Sequence, residues 1–573
     1  MKKNFFGKLF GLTLLMFTLL FTGASAETYE GTGLGYDKDG IVLDVEITNN
    51  KIVDVKVKRA KESEFATPAI QKIAKKVIAT QSLDVDGVSG ASLTSEGTKE
   101  AIEEAVKKSG VTLTAVTLQN TKAVELPKEA DVVVIGAGGA GLTSAIAAHE
   151  KGAKVILIEK TELLGGNTNY ATAGLNAAGT KIQEKLGIKD SPELFYEDTM
   201  KGGKNKNNKE LVRVLVNNSS AIVDWLTERG ADLSELTSTG GQSVKRTHRP
   251  TGGSAVGPNI VAALSKTAES EKIDIRKGTK AIALVKAKNK IVGVKVREVD
   301  GKEYTIKAKA VIVATGGFGA NAKMVEKYNP KLKGFGSTNS PAIVGDGIIM
   351  VEKVGGALVD MSEIQTHPTV VHNKTNMITE AVRGEGAILV NRDGKRFIDE
   401  LETRDVVSKA ILSQKGKSAF LIFDEDIRTK LKAADGYVKK GFAVEGTLEE
   451  IAAKIGTDAK TLEATLNKYN EAVKNKADSE FNKKNLPKEL TGTKYYAIEI
   501  SPAVHHTMGG VHINTNAEVL GKNGRPIKGL YAAGEVTGGI HGANRIGGNA
   551  VADITIFGKI AGENAAIYSK SVK

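Results

Sequence analysis

Several arginines and histidines of this chain stand in settings that suit the handling of an anion. Arg545 lies among glycines in "GANRIGG", a tight loop from which a planar guanidinium fork can grip a carboxylate at two points and stay charged. The competing reading is a surface arginine that caps the following helix. His505 and His506 sit beside another glycine turn in "AVHHTMGG", and His367 stands in "IQTHPT". His149 and His512 have no such setting and read as ordinary core histidines. Glu380 and Arg383 in "TEAVRG", with Arg404 in "LETRDVV", set one carboxylate among two guanidiniums. That group is either a proton relay or a structural ion-pair network. Cysteine is absent, which excludes disulfides, thiolate metal sites, iron–sulfur clusters and c-type haem attachment. No metal site is expected, and any redox chemistry must run on some other carrier.

The elements that would position these residues begin sharply at Asp131. "DVVVIGAGGAGLTSAIAAHEKGAKVILIEK" reads as strand, glycine turn, helix and strand. Gly136, Gly138 and Gly141 fill G-x-G-x-x-G, with Gly139 between them. The first two glycines allow a tight turn and close approach of a pyrophosphate to the helix N-terminus, and the third lets helix pack on strand. Glu159, next to Lys160, ends the second strand where a carboxylate accepts from ribose hydroxyls. Strand, turn, helix, second strand and acid together make this a dinucleotide site. Further glycine-rich segments follow. "LLGGNTNYATAGLNAAGT" contains Gly166, Asn167, Thr168, Ala173 and Gly174, and "AVIVATGGFGAN" contains Gly316 and Gly317. "GLYAAGEVTGGIHGANRIGGNAVADITIFGKIAG" contains Gly534, Glu535, Gly548 and Ala550, and Asp346 lies between these blocks. Such widely separated turns around one cofactor suit an extended flavin better than NAD, a two-site NAD protein being the alternative.

The chain of 573 residues is too long for one ordinary core. Residues 1–26 read as an export leader: Lys2, Lys3 and Lys8 precede an apolar run from Leu9 to Phe21, and Ala24 to Ala26 offer a small-residue cleavage site. The alternative is an uncleaved anchor. The formal charge is +13, and loss of the leader lysines would leave +10. Acids are interspersed with the lysines and no aromatic-interleaved basic patch occurs, so a nucleic-acid partner is not expected. Residues 27–112 read as a small α+β module. Leu43, Val45 and Ile47, then Val53, Val55 and Val57, alternate with polar residues as a hairpin with one buried face. A helix around Ala69–Ala79 follows, then "DGVSGASLTS" and a second helix. Residues 113–130 read as a connector with at most one short strand. A mixed region at 363–504, with the polar helical stretch "LEEIAAKIGTDAKTLEATLNKYNEAVKN", interrupts the dinucleotide-binding elements as a lid would.

From Asp131 to about Ser569 these segments resemble the flavoprotein subunits of fumarate reductase and succinate dehydrogenase, above all the soluble flavocytochrome c fumarate reductases and related enoate reductases. "IQTHPT", "TEAVRGEGAILVNRDGKRFIDELETRD", "HHTMGG" and "HGANRIGGNA" carry the likeness. It implies an α/β fold: a Rossmann-like FAD-binding domain in two parts (131–362 and 505–573) with an inserted α+β capping domain (363–504). It also implies non-covalent FAD held by the glycine-rich segments, with His506 facing either substrate or flavin. His367, Thr379, His505 and Arg545 would hold substrate carboxylates, and Met377 stands where fumarate-reducing relatives have methionine. Arg404 would be the active-site acid, reprotonated through Glu380 and Arg383, while hydride passes from FAD N5 to the other alkene carbon. Near Ser238–Thr239 the family pattern calls for methionine, so urocanate, acrylate, methacrylate and aryl acrylates stay open beside fumarate.

Residues 27–112 resemble the small FMN-binding module of sodium-pumping and Rnf-type membrane complexes. Ser89-Gly90-Ala91-Ser92-Leu93-Thr94 matches its S-G-A-[TS]-x-T motif, with Ser92 where threonine is usual. That likeness implies FMN bound covalently to Thr94, attached by a flavin transferase, in the N-terminal place that a haem domain takes in the flavocytochromes. The expectation is an exported enzyme, periplasmic or at the cell surface, fed by an external electron donor through FMN and then FAD. A ketosteroid-type FAD dehydrogenase and a non-catalytic flavin electron carrier are the competing readings.

Overall fold

The structure, a computed structural model, describes residues 26–35, 40–62, 66–88, 90–116 and 126–572. The expected leader up to Ser25 and the motif residue Ser89 lie outside the described residues. No helix among the described residues is long and apolar enough to cross a membrane.

The N-terminal unit is a three-stranded antiparallel sheet, Glu27–Gly33, Ile41–Thr48 and Lys51–Ala60, in that spatial order. Helices Thr67–Thr80 and Ser92–Ser109 close its core. Leu43, Val45 and Ile47 face inward as their alternation predicts. The third strand departs from its predicted face: Ile52 and Val55 are buried, while Val53 and Val57 are exposed. Register shifts between Glu46 and Ile47 and between Val42 and Leu43 break the period-two rule there. The second helix also starts earlier than its polar repeat suggests. It begins at Ser92, so Thr94 lies in its first turn and not in the preceding loop.

The second unit is built on an eight-stranded sheet. Glu303–Val313, Glu129–Ile135, Val155–Ile158 and Asp274–Arg276 run parallel at its centre, and Pro526–Ala532 joins the other side of Glu303–Val313. Helix Gly139–Glu150 fits against the first strand because residue 141 lacks a side chain: a Cβ there would lie 1.7 Å from the Gly136 carbonyl oxygen. The long C-terminal helix Asn549–Ser571 packs on the same helix through Gly558 and Gly562.

The third unit has its own apolar core around an antiparallel sheet in the order Gln365–Val371, Tyr495–His506, Ala419–Asp424 and Ile388–Val390. The polar helical stretch predicted here is two helices, Leu448–Ile455 and Ala459–Asn475. Gly456 at φ +72° ends the first, and the Asp458 side chain caps the second. Tyr495–His506 runs through the expected 504/505 boundary, and its last residues, His505 and His506, end the sheet with His506 paired to Gln365.

Candidate active site

Two adjoining clefts run along the C-terminal ends of the parallel strands, where open α/β sheets bind their ligands. The outer one spans about 1020 Å³ and the inner one about 760 Å³, both counted with the open mouth, and Asn167, Thr168, Tyr170 and Glu535 border both. The outer cleft is walled by Gly136, Gly138 and Gly139 of the glycine turn, by Glu159 and Lys160 after the second strand, and by Gly166, Gly316 and Asp346. Lys160 pairs with Asp346 at 2.5 Å. Glu159 accepts from the Ala137 amide at Oε2 (2.8 Å) and from the Thr161 amide and hydroxyl at Oε1 (both 2.9 Å), leaving one acceptor site on Oε2 for a ribose hydroxyl. Gly141, Gly317 and Gly534 line neither cleft. They serve packing: a Cβ on Gly317 would meet Thr507 Oγ1 at 2.0 Å, and one on Gly534 would meet Ala140 at 2.8 Å.

The inner cleft is walled by Ala173, Gly174, Thr338, Met377, Arg404, His505, His506, Arg545, Gly548 and Ala550. Arg404 opens helix Arg404–Leu412 and donates from Nε to Glu380 Oε1 at 2.8 Å. Arg383 Nη2 lies 3.6 Å from the same oxygen, so Arg404, Glu380 and Arg383 form one continuous ionic chain. Burial works against the Glu380 carboxylate, but the two guanidiniums outweigh it and hold the group at about 2. Arg383 is deeply buried behind the cleft wall and donates to the Glu400 carbonyl. Thr379 stands at the N-cap position of the short helix Glu380–Gly384 without a side-chain capping bond, and its backbone N–H donates to the Tyr437 hydroxyl at 3.0 Å.

His367 stands behind His505, the two rings in edge contact with centroids 5.2 Å apart. His367 Nδ1 accepts from the Thr369 amide (3.3 Å), and His505 Nδ1 is 2.7 Å from Thr338 Oγ1. Burial, with Arg404 adding to it, holds both imidazoles well below the usual histidine range. They therefore act as neutral hydrogen-bonding groups. Burial, again reinforced by Arg404, pulls Arg545 down to about 9. The Arg545 Nε and His506 Nε2 atoms are buried without a partner. A cleft whose cations are this poorly solvated favours an anionic guest.

Sequence reasoning passed over Gln365 and Thr338. Gln365 accepts from Arg404 Nη1 at 3.4 Å and donates to Asn544 Oδ1 and the Arg545 carbonyl at 2.9 Å, tying the two arginines together. Its place in "IQTHPT" was the available signal. Thr338, in a loop with no motif of its own, gave none.

In the N-terminal unit the Thr94 side chain is buried and its hydroxyl donates to Glu62. Gly90, at φ +95°, borders the outer cleft and faces Leu163. Lys72 Nζ reaches the Glu162 carbonyl (2.7 Å) and its Oε2 (3.1 Å), and Leu163 packs onto the N-terminal core. The FMN-type motif thus docks at the rim of the dinucleotide cleft.

A glycine-cradled cleft, a second cleft lined by orphaned donors, and a lid sheet that delivers histidines define an FAD-dependent oxidoreductase. The family model described as FAD binding domain matches residues 131–551, and that described as FMN-binding domain matches residues 35–107. A fumarate reductase (cytochrome) of Shewanella frigidimarina is 52% identical over 77% of this chain and 77% of its own length. An NADH:fumarate oxidoreductase of Klebsiella pneumoniae is 45% identical over 92% of this chain, which spans 57% of that longer protein. The open conformation of a flavocytochrome c3 fumarate reductase superposes with a TM-score of 0.69 at 44% identity, covering 77% of this chain and 78% of that one. The chain belongs to the soluble fumarate reductase flavoprotein family, with an FMN-binding domain at its N-terminus.

Proposed function

We propose that the protein reduces the carbon–carbon double bond of fumarate to give succinate. The observation that carries this reading is the Arg404–Glu380–Arg383 chain, which ends at a cleft also lined by Arg545, His505 and Met377. Gly136, Gly138, Glu159, Asn167 and Glu535 would hold FAD, which would supply hydride chemistry at the inner cleft. Arg545, His505, His367 and Thr379 orient the two substrate carboxylates, and Arg545 polarises one of them so that charge developing on the adjacent carbon is stabilised. Arg404 gives its proton to that carbon. An arginine suits that role only if it is recharged at once, and Glu380, held ionised beside it, passes the replacement proton from Arg383. The dianionic substrate balances the cationic cleft, which explains why buried arginines are tolerated there.

Electrons enter, on this reading, through FMN linked to Thr94 by a flavin transferase. The first-turn amides of helix Ser92–Ser109 would favour the FMN phosphate, and Glu62 accepts the hydrogen bond of the Thr94 hydroxyl that would carry it. A cysteine-free chain cannot use c-type haem for this step. An exported protein would also lose a weakly held FMN by dilution, so a covalent tether fits the leader at 1–26. A periplasmic or cell-surface location and an external reductant complete the scheme. A second reading, another small enoate, is favoured by Thr239. It donates to the Gly547 carbonyl (2.8 Å) beside Arg404, close to the position where the family pattern calls for methionine.

The test is turnover of an enoate panel by the purified protein with reduced viologen. Fumarate is expected to give the highest kcat/KM, and no turnover with any dicarboxylate would overturn the proposal.

A further inference from the structure

Behind the inner cleft lies a pair of buried polar side chains that the scheme above does not use. His541 and Asp553 are 3% and 1% exposed, and His541 Nε2 is 3.1 Å from Asp553 Oδ2. A carboxylate only accepts, so His541 carries its proton on Nε2 and donates it to Asp553. His541 Nδ1, on the other side of the ring, is buried without a partner. The His541 ring meets His506 edge to face, with centroids 5.4 Å apart and planes at 84°. His506 accepts at Nδ1 from the Met508 amide (3.0 Å), so its neutral ring keeps the proton on Nε2. That Nε2 is unpartnered as well, and His506 borders the inner cleft. Asp553 Oδ1 completes a run of orphaned atoms through three consecutive side chains. Buried polar atoms without partners are rare and costly, and such a run calls for an explanation.

Asp553 also lies on the helix whose first turns wall the cleft through Ala550, Val551 and Ile554. Its field reaches the site, since it favours the charged form of Arg545. Buried charges are screened far less than exposed ones.

We propose that His541 and Asp553 are positioning residues for the bound FAD. Asp553 fixes the His541 tautomer, His541 holds the His506 ring edge-on with Nε2–H available to the flavin, and the Asp553 carboxylate sets the local charge against which the flavin is reduced. The inference rests on FAD occupying the clefts and not on which enoate is reduced. A two-electron reduction makes the flavin more electron-rich, so a nearby carboxylate opposes it. Replacing Asp553 by a neutral isostere favours the reduced form. Removing His541 leaves the carboxylate without its donor, strengthens its field and disfavours the reduced form.

The test is a redox titration of the full chain carrying Thr94→Ala, followed by flavin absorbance and fitted with a second wave if FMN persists. Asp553→Asn is expected to raise the FAD potential by at least a tenfold change in the oxidation equilibrium, about 30 mV for a two-electron couple. His541→Asn is expected to lower it. Unchanged potentials with FAD still bound would reduce the pair to a packing role and overturn the proposal, as would a rise in His541→Asn. If Asp553→Asn does not fold, the sign of the His541→Asn shift decides. No substrate enters this titration, so failure of fumarate turnover is read separately.

Discussion

The proposed attachment site at Thr94 and the proposed reduction site at Arg404 are built in contrasting ways. The first uses one loop, one helix turn and a nearby carboxylate on a small three-stranded unit whose ion pairs, such as Lys58–Glu30, are largely exposed. The second draws on segments far apart in the chain: Gln365 and the Arg545 carbonyl, 180 residues apart, share a hydrogen bond. It buries its charges. On the proposed roles, holding a flavin by a covalent bond asks little of the surrounding fold. Delivering a proton from an arginine asks for a closed, desolvated network supplied by two domains at once.

The sharpest way to break that comparison is to cut the buried network. On the proposed relay, Glu380→Gln leaves Arg404 in place but removes its proton source. Fumarate turnover should fall by roughly 10²–10⁴-fold, the usual worth of a positioned acid–base group, with KM little changed in steady-state assays. Arg545→Gln should come next. Loss of a buried charge partner for the carboxylate should cost on the order of 100-fold in kcat/KM, while the substrate-free protein should melt no lower, because a poorly solvated cation has gone.

How far the sequence revealed these sites follows from the same contrast. The glycine turn, its helix and Glu159 form one contiguous stretch, and "SGASLT" is six residues long, so both stood out. The helix start at Ser92 was displaced in the reading because serine and threonine in a first turn look like loop. The exposed faces of Val53 and Val57 were missed because a bulge leaves no residue signature. In the catalytic cleft the types of Arg404, His505 and Arg545 were informative, but only the fold shows that Glu380 bridges two arginines. Only the fold shows that Thr338 meets His505.

Smaller effects sharpen the comparison from the other side. Lys72→Ala removes a half-exposed pair worth about 0–1 kcal/mol at most. It should slow donor-driven reduction only a few-fold and leave viologen-driven turnover unchanged, as stopped-flow traces would show. The smallest effect concerns pH. With His367 and His505 held well below the ordinary histidine range, both stay neutral from about pH 6 to 8. The kcat/KM profile should be flat across that window, and a step near pH 6.5 would show that one of them titrates there.

The most direct measurement pairs Thr94→Ala with Arg404→Ala, each scored for flavin fluorescence in the denatured band and for viologen-linked fumarate reduction. The account predicts a crossed result: Thr94→Ala loses the fluorescence and keeps turnover, while Arg404→Ala keeps the fluorescence, retains bound FAD and loses turnover. Fumarate reduction surviving in Arg404→Ala, or fluorescence surviving in Thr94→Ala, would contradict it.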